Sequence, residues 1–473
     1  MDTGTDAPPN GDAFDTLPLH PGLHANLRHL GYRTMTPIQA ASLPLTLAGK
    51  DLIAQAKTGS GKTAAFTLPL LTNLNPRRFA VQALVLCPTR ELADQVTKEI
   101  RRLARFMDNI KVLSLVGGTP IGPQRASLEH GAHIVVGTPG RLLDHLERGS
   151  LNLDAVNTLV LDEADRMLDM GFHDDIVYVA QQCPLQRQTL LFSATYPPGI
   201  AELAQRFLDR PQEVKLAEQH ASSKIRQRFY EVKHEERLPA VATLLRHYRP
   251  VSTLAFCNTK QQCRDLVDLL QEQGFHALTL NGDMEQRERD QVLVQFANRS
   301  CSVLVATDVA ARGLDIAQLE AVINVDVTPD PEVHTHRIGR TGRADQDGWA
   351  LSLCSPRDRR RIDTIAHVTG IAPEWHTLGN LQGGDPTPLV PPMVTLQMLG
   401  GRKEKIRPGD VLGALTADKA GTRPFTREEV GKITITDQAT YVAVAREYAA
   451  DALHKLLTAG VKGRAVKARS LET

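Results

Sequence analysis

Aromatic residues are scarce, at 4% of 473, with only two tryptophans. A surface that grips a run of bases by ring stacking is therefore not expected. The six cysteines, Cys87, Cys183, Cys257, Cys263, Cys301 and Cys354, are scattered. No two form a C-x-x-C pair and none has histidine partners at zinc spacing, which argues against a structural zinc site. They read as buried or idle thiols of a reducing, cytoplasmic compartment. No apolar run is long enough to span a bilayer, so no membrane association is expected. The opening MDTGTDAPPNGDAF is acidic and turn-rich, without the basic-then-apolar order of a secretory leader.

What is present is the balance of a globular chain, 42% hydrophobic and 23% charged. The length suits roughly three domains of about 150 residues. The net charge of +1 is unevenly spread: from Met393 onward 14 Lys and Arg face 9 Asp and Glu, a balance of +5, leaving −4 for the rest. A basic C-terminal segment on a faintly acidic body points to a polyanion contact there. Charge alone also fits a solvated face.

Short β-rich runs alternate with helical patterns through the first half: Asp51–Ala54, Ala83–Pro88, His133–Pro139, Thr158–Glu163 and Thr189–Thr195. Runs that are apolar throughout fit strands buried on both faces of a parallel sheet. The rhythm weakens near Arg210–Ser223 and restarts with STLAFCNT, HALTLNG, CSVLVATD and AVINVD, which predicts a second α/β lobe. NLQGGDPTPLVPP then reads as a linker. The remainder predicts strands at Val394–Leu399, Lys432–Thr436, Thr440–Val444 and Ala465–Arg469 in the order β-α-β-β-α-β. A helix near Ala445–Leu457 is expected to bury Ala449, Leu453, Leu456 and Leu457.

AQAKTGSGKT (Ala54–Thr63) follows a predicted strand and opens a predicted helix, the setting in which backbone N–H groups and a helix N-terminus cradle phosphate. Lys62 would reach the β- and γ-phosphates and Thr63 would hold Mg²⁺. Ala56 stands where the generic pattern has glycine. In LVLDEAD (Leu159–Asp165) an apolar strand delivers Asp162 to the Mg²⁺ shell, and Glu163 sits where a base orients the attacking water. Alone, such an acidic pair is more often a helix cap; beside a phosphate loop it is not.

The run Asp162-Glu163-Ala164-Asp165 and its companions resemble the DEAD-box RNA helicases, whose motifs follow here in order. Phe14 and GYRTMTPIQ (Gly31–Gln39) look like the adenine-reading segment of that family. PTRELA (Pro88–Ala93), Gly117-Gly118, TPGR (Thr138–Arg141) and SAT (Ser193–Thr195) come next. FCNT (Phe256–Thr259), GDMEQRER (Gly282–Arg289), ATDVAARGLD (Ala306–Asp315) and HRIGRTGR (His336–Arg343) complete the set. Alanine at position 56 is usual in this family. The resemblance implies ATP and Mg²⁺ as cofactors and RNA-stimulated ATP hydrolysis. It implies an α/β fold of two tandem RecA-like doubly wound parallel-sheet lobes, residues 14–213 and 214–371, after a disordered 1–13.

By the same resemblance the catalytic set is Lys62, Asp162, Glu163, Arg340 and Arg343, the last two being arginine fingers. ATP would be bound by Phe14, Gln39, Ala56, Thr58, Gly59, Ser60, Gly61, Lys62, Thr63 and the ribose contact Asp315. The Gln39 amide, donor and acceptor together, suits an adenine edge. Ser193 and Thr195 would couple nucleotide to RNA. RNA would be held by Thr89, Arg90, Gly117, Gly118, Thr138, Arg141, Thr259 and Thr307, residue types that bond phosphate and 2′-OH without reading bases. His334 and His336 stand at strand spacing for a metal pair, with no third ligand near.

After a Gly/Pro-rich linker, 372–392, residues 393–470 resemble the RNA-binding domain of the bacterial DbpA-type helicases, in GGRKEKIRPGDVLGAL, VGKITI and TYVAV. That implies a small α+β RRM-like domain whose target is a hairpin of 23S-type ribosomal RNA near the peptidyl-transferase centre, on pre-50S particles. The aromatic RRM signature is missing and Tyr441 is the only ring of its third strand, so stacking on the sheet is not the expected binding mode. The candidates are instead Arg402, Lys403, Lys405 and Arg407 with Lys462, Arg464, Lys467 and Arg469. A cold-shock type relative would be expected to add a long basic tail, and a monomer is the favoured state.

Overall fold

The computed structural model describes residues 13–56, 60–215, 225–311, 319–342, 347–381, 387–418 and 423–472. The apolar runs of the first half become β1 (Leu52–Gln55), β2 (Ala83–Leu86), β3 (Val112–Leu115), β4 (Ile134–Gly137), β5 (Thr158–Leu161), β6 (Gln188–Ser193) and β7 (Gln212–Lys215). All pair in parallel, in the order β3-β4-β2-β5-β6-β1-β7. Strands β2, β4, β5 and β6 are buried along their whole length, because helices cover both faces.

The second sheet repeats this plan strand for strand. It comprises β8 (Ile225–Glu231), β9 (Thr253–Phe256), β10 (Ala277–Leu280), β11 (Val303–Ala306), β12 (Ala321–Asn324), β13 (Gly348–Cys354) and β14 (Trp375–His376). Its order, β10-β11-β9-β12-β13-β8-β14, is that of the first sheet advanced by seven. Strand β14 lies inside the segment expected to be linker and pairs with β8. In such sheets ligands gather beyond the carboxyl ends of the strands, and both lobes place their motifs there.

The C-terminal domain has the expected β-α-β-β-α-β order. It consists of β15 (Met393–Leu399), the helix Pro408–Thr416, β16 (Val430–Ile435), β17 (Ala439–Ala445), the helix Ala449–Ala459 and β18 (Ala468–Ser470). The sheet is antiparallel in the order β16-β17-β15-β18. Val394, Leu396, Met398, Val442 and Val444 face the two helices and form the core. The second helix departs from expectation. Leu457 is exposed, and the buried set is Ala449, Ala452, Lys455 and Leu456. At about 100° per residue Leu457 sits roughly 80° round from Ala449, outside the apolar face. Buried Lys455 is satisfied by donating from Nζ to the carbonyls of Ala417 and Arg423, each at 2.7 Å.

The opposite face of the C-terminal sheet is closed by the second lobe. Thr395, Gln397, Tyr441 and Ala443 are all at most 2% exposed. Asn298 donates to the Thr395 hydroxyl at 3.1 Å, and the Ser300 hydroxyl meets it at 2.6 Å. Val294, on the helix Gln286–Ala297, packs against Ala439, Tyr441 and Leu471. The sheet face on which a base could stack is thus occupied by protein. Among the described residues no helix is long and apolar enough to cross a membrane.

His334 lies on the helix Pro331–Ile338, not on a strand, so it and His336 point to different sides. No cluster of three or more His, Cys, Asp or Glu side chains among the described residues is placed to hold a metal ion. His334 stacks on Phe229 with ring centroids 6.3 Å apart. Burial pushes its imidazole down to about 4, and the Arg337 charge adds to this. A histidine held neutral in the fold but free to protonate when unfolded makes stability fall as pH drops from about 6.5 towards 4. The loss expected across that window is about 3 kcal/mol. Both tryptophans, Trp349 and Trp375, belong to this lobe, so tryptophan fluorescence during urea unfolding reads it selectively. The pH slope should flatten in His334→Gln.

Candidate active site and nucleic-acid interface

Just past the end of β1, the Ala56 N–H donates to the Ser193 carbonyl at 2.9 Å. Thr58 and Gly59 lie outside the described residues. The chain is next seen at Ser60 and at Gly61, whose left-handed backbone (φ 94°) caps the helix Lys62–Thr72. A side chain there would stand 2.5 Å from Gln39 Nε2, so glycine is required. Gln39, near the start of the helix Pro37–Leu47, donates to the Gly61 carbonyl at 3.0 Å and accepts from the Thr36 N–H at 2.9 Å. Its amide thus splints the phosphate loop as well as offering a remaining donor and acceptor. Phe14 is buried edge-on against Tyr32, with centroids 5.7 Å apart.

Strand β5 carries Asp162 and Glu163 to the same edge. Asp162 is 3% exposed, and burial pushes its carboxyl up to about 6 although Lys62 pulls it down. Four buried polar atoms at this edge have no hydrogen-bond partner among the described residues: Ser60 Oγ, Lys62 Nζ, Asp162 Oδ1 and Ser193 Oγ. Unsatisfied groups of this kind are costly in a folded interior. An ammonium, a carboxylate and two hydroxyls together fit a polyphosphate with its divalent cation. Thr63, half-buried on the first helical turn, supplies a further hydroxyl.

Asp165 was not singled out in the sequence, yet it ties this site together. Its Oδ2 accepts from Ala194 N at 3.1 Å, Thr195 N at 2.9 Å and Thr195 Oγ1 at 3.0 Å. The end of β5 is thereby fastened to the end of β6. Glu163, left-handed at φ 52°, accepts from Arg166 at 2.7 Å.

The motifs expected to face RNA are cross-braced. Thr89 caps the helix Arg90–Leu103 by accepting from Leu92 N at 3.3 Å. The Arg90 guanidinium fills the space that a side chain on Gly118 (φ 70°) would take and lies beside Gly117. Thr138 caps the helix Pro139–Glu147 with its carbonyl. Arg141 is turned inward, donating to the Thr119 carbonyl at 3.0 Å and to Gln124 at 3.0 Å. It braces the loop after Gly118.

In the second lobe Thr259 caps the helix Lys260–Glu272 through Gln262 N at 3.1 Å, at the position after β9 that Thr89 has after β2. Thr307 starts the short helix Asp308–Ala311. Arg340 is buried at the end of the helix Pro331–Ile338. Asp315 and Arg343 lie outside the described residues. The organising residue is Arg337, missed in the sequence reading. It donates to both Asp308 oxygens at 2.7 Å and to the Asp326 carbonyl at 2.7 Å, over the Phe256 ring.

In the C-terminal domain the two basic segments converge. Lys462 donates to the Lys405 carbonyl at 2.8 Å and pairs with Asp410 at 3.0 Å. Arg402, Lys403, Lys405, Arg407, Lys462 and Arg464 are all exposed around this junction. Gly460 makes it possible: at φ 64° and ψ −172° its backbone is glycine-only, and a side chain would strike the Arg464 carbonyl at 2.1 Å. Lys467 directly precedes β18 and Arg469 lies on it, donating to Gln397 at 2.8 Å.

Known proteins share this arrangement. Residues 36–203 match the DEAD/DEAH box helicase family, 236–345 the helicase conserved C-terminal domain, and 395–470 the DbpA RNA binding domain. The chain is 51% identical to the ATP-dependent RNA helicase DbpA of Escherichia coli K12 over 461 residues, 97% of this chain and all of that one. This chain is a DEAD-box RNA helicase of the DbpA type. The helicase is also 43% identical to the DEAD-box ATP-dependent RNA helicase CshA of Bacillus subtilis, over 75% of this chain and 72% of that one. Among solved structures, Saccharomyces cerevisiae Dbp5 bound to RNA and ADP BeF3 aligns with a TM-score of 0.72 at 30% identity. That alignment covers 78% of the helicase and 96% of Dbp5. The helicase accordingly binds nucleotide and RNA and is an RNA-dependent ATPase of two RecA-like lobes followed by an RRM-like domain.

Asp165→Ala leaves three donors in the β5–β6 seam without their carboxylate. Hydrogen bonds to a charged group contribute about 1.5–3 kcal/mol each. A clear drop in Tm by circular dichroism and a loss of RNA stimulation of ATP hydrolysis are expected, with Thr195→Val showing a smaller version of both.

Proposed function

We propose that the helicase is an RNA motor indifferent to sequence, delivered by its C-terminal domain to one hairpin of large-subunit ribosomal RNA in the peptidyl-transferase region. There it remodels RNA locally on precursors of the large subunit, in the cytoplasm and as a monomer. The observation that carries the targeting is the junction of two exposed basic loops at Lys405 and Lys462, within the part that matches the DbpA RNA binding domain. The domain's sheet face is covered, whereas this junction is an open cationic surface.

In the motor, Lys62 meets the terminal phosphates, while Thr63 and Asp162 hold Mg²⁺. The cation when bound neutralises charge on the phosphate oxygens. Gln39 reads the adenine edge, Phe14 packs behind it and Asp315 meets the ribose. Glu163 orients the attacking water. Arg340 and Arg343, carried on the other lobe, stabilise charge in the transition state, a contribution of roughly 10³–10⁵ in rate. Ser193 and Thr195 relay the state of the site to Thr89, Arg90, Gly117, Gly118, Thr138, Thr259 and Thr307 on RNA, with Arg141 as a brace.

Glu163→Gln is expected to bind ATP and RNA while losing roughly 10²–10⁴ in turnover. Near-normal hydrolysis would remove Glu163 from this role. For the anchor, binding of the full chain to the ribosomal hairpin and to unrelated hairpins is compared at one salt concentration. Preference for the ribosomal hairpin, weakened by Lys405→Glu with Lys462→Glu, is the expected result; equal affinities refute the targeting.

A further inference from the structure

We propose that Arg166 is a positioning residue for ATP hydrolysis: its guanidinium holds one oxygen of Glu163 so that the other is presented to the attacking water. This rests on the assignment of Glu163 above. The pair is short and dry, with Arg166 Nη1 2.7 Å from Glu163 Oε2 and side chains 8% and 5% exposed. It is therefore unlike the solvent-screened pairs that hold nothing in place. Fixing one oxygen of a carboxylate fixes its plane and the direction of the lone pairs on the other oxygen.

Both ends of the contact are anchored. Glu163 is one of the few non-glycine residues with a left-handed backbone, fixed at φ 52° and ψ 50° by its place between β5 and the helix Ala164–Asp169. The turn sets the root of its side chain, and only the side-chain torsions remain to be fixed. Arg166 sits on the first turn of that helix, three residues on. Its own N–H donates to Asp165 Oδ1 at 3.1 Å, while Oδ2 of the same carboxylate holds Ala194 and Thr195. The base of the guanidinium is thus tied to the seam between β5 and β6. A disturbance of the serine–alanine–threonine segment reaches Arg166, and through it the direction in which Glu163 points.

The alternative is that Arg166 only neutralises a buried charge, and kinetics of the full chain separate the two. RNA-stimulated ATP hydrolysis is measured for Arg166→Met, Arg166→Lys, Glu163→Gln and the double variant Glu163→Gln with Arg166→Met. Positioning predicts that Arg166→Met loses roughly 10–100-fold in kcat, the scale of a misplaced catalytic group. KM for ATP should stay within about twofold, and Arg166→Lys should recover part of the loss. The double variant should be no slower than Glu163→Gln alone, because no carboxylate remains to be aimed.

Wild-type kcat in Arg166→Met overturns the proposal, as does a double variant that loses the Arg166→Met factor again on top of Glu163→Gln. Should Arg166→Met fail to fold, Arg166→Lys and the charge-free double variant carry the test by the same criteria. Normal turnover in Glu163→Gln would sink the assignment of Glu163 itself. A slow Glu163→Gln with a fast Arg166→Met sinks only the role of Arg166.

Discussion

One carboxylate holds the catalytic edge of the first lobe in register. Asp165 takes three donors from the segment after β6, and by doing so fixes where β5 delivers Asp162 and Glu163. Parallel strands leave their carboxyl ends unpaired beyond the sheet, so groups carried there are aimed only if something outside the ladder holds them. In the second lobe Arg337 has the corresponding task with the opposite charge. It gathers Asp308, Asn324 and the Asp326 backbone, and its own carbonyl accepts from the Arg340 N–H. In each lobe a buried charged side chain thus ties together segments that carry the motif residues.

These two side chains also show what could be read from the residues and what could not. Strands were legible because burial on both faces writes itself as unbroken apolar runs, as in LVLD and SVLVA. The phosphate loop and the acidic pair were legible because their chemistry is local in sequence. Arg337 and Asp308 stand 29 positions apart, and nothing in either segment announces the bond between them. Gln39 was read for its amide, yet its contact with Gly61 spans 22 positions and appears only when two helices meet. Arg141 reads by type as a phosphate contact, and only the fold shows that its guanidinium also braces the neighbouring loop.

In the C-terminal domain topology and charge were legible, and packing was not. Leu457 belonged to the apolar set by type but falls outside the face by angle, while Lys455 is buried because two carbonyls need a donor. The absence of an aromatic platform pointed away from stacking without saying what occupied the sheet. The answer lay in Asn298 and Ser300, residues with no motif around them.

That covered sheet has a bearing on any excised piece of the helicase. Cut free near Met393, the domain would bare Thr395, Gln397 and Tyr441 to solvent. It would then offer single-stranded RNA a ring and an amide that the intact chain keeps out of reach. Affinity measured on such a fragment would mix the native basic junction with a surface created by the cut.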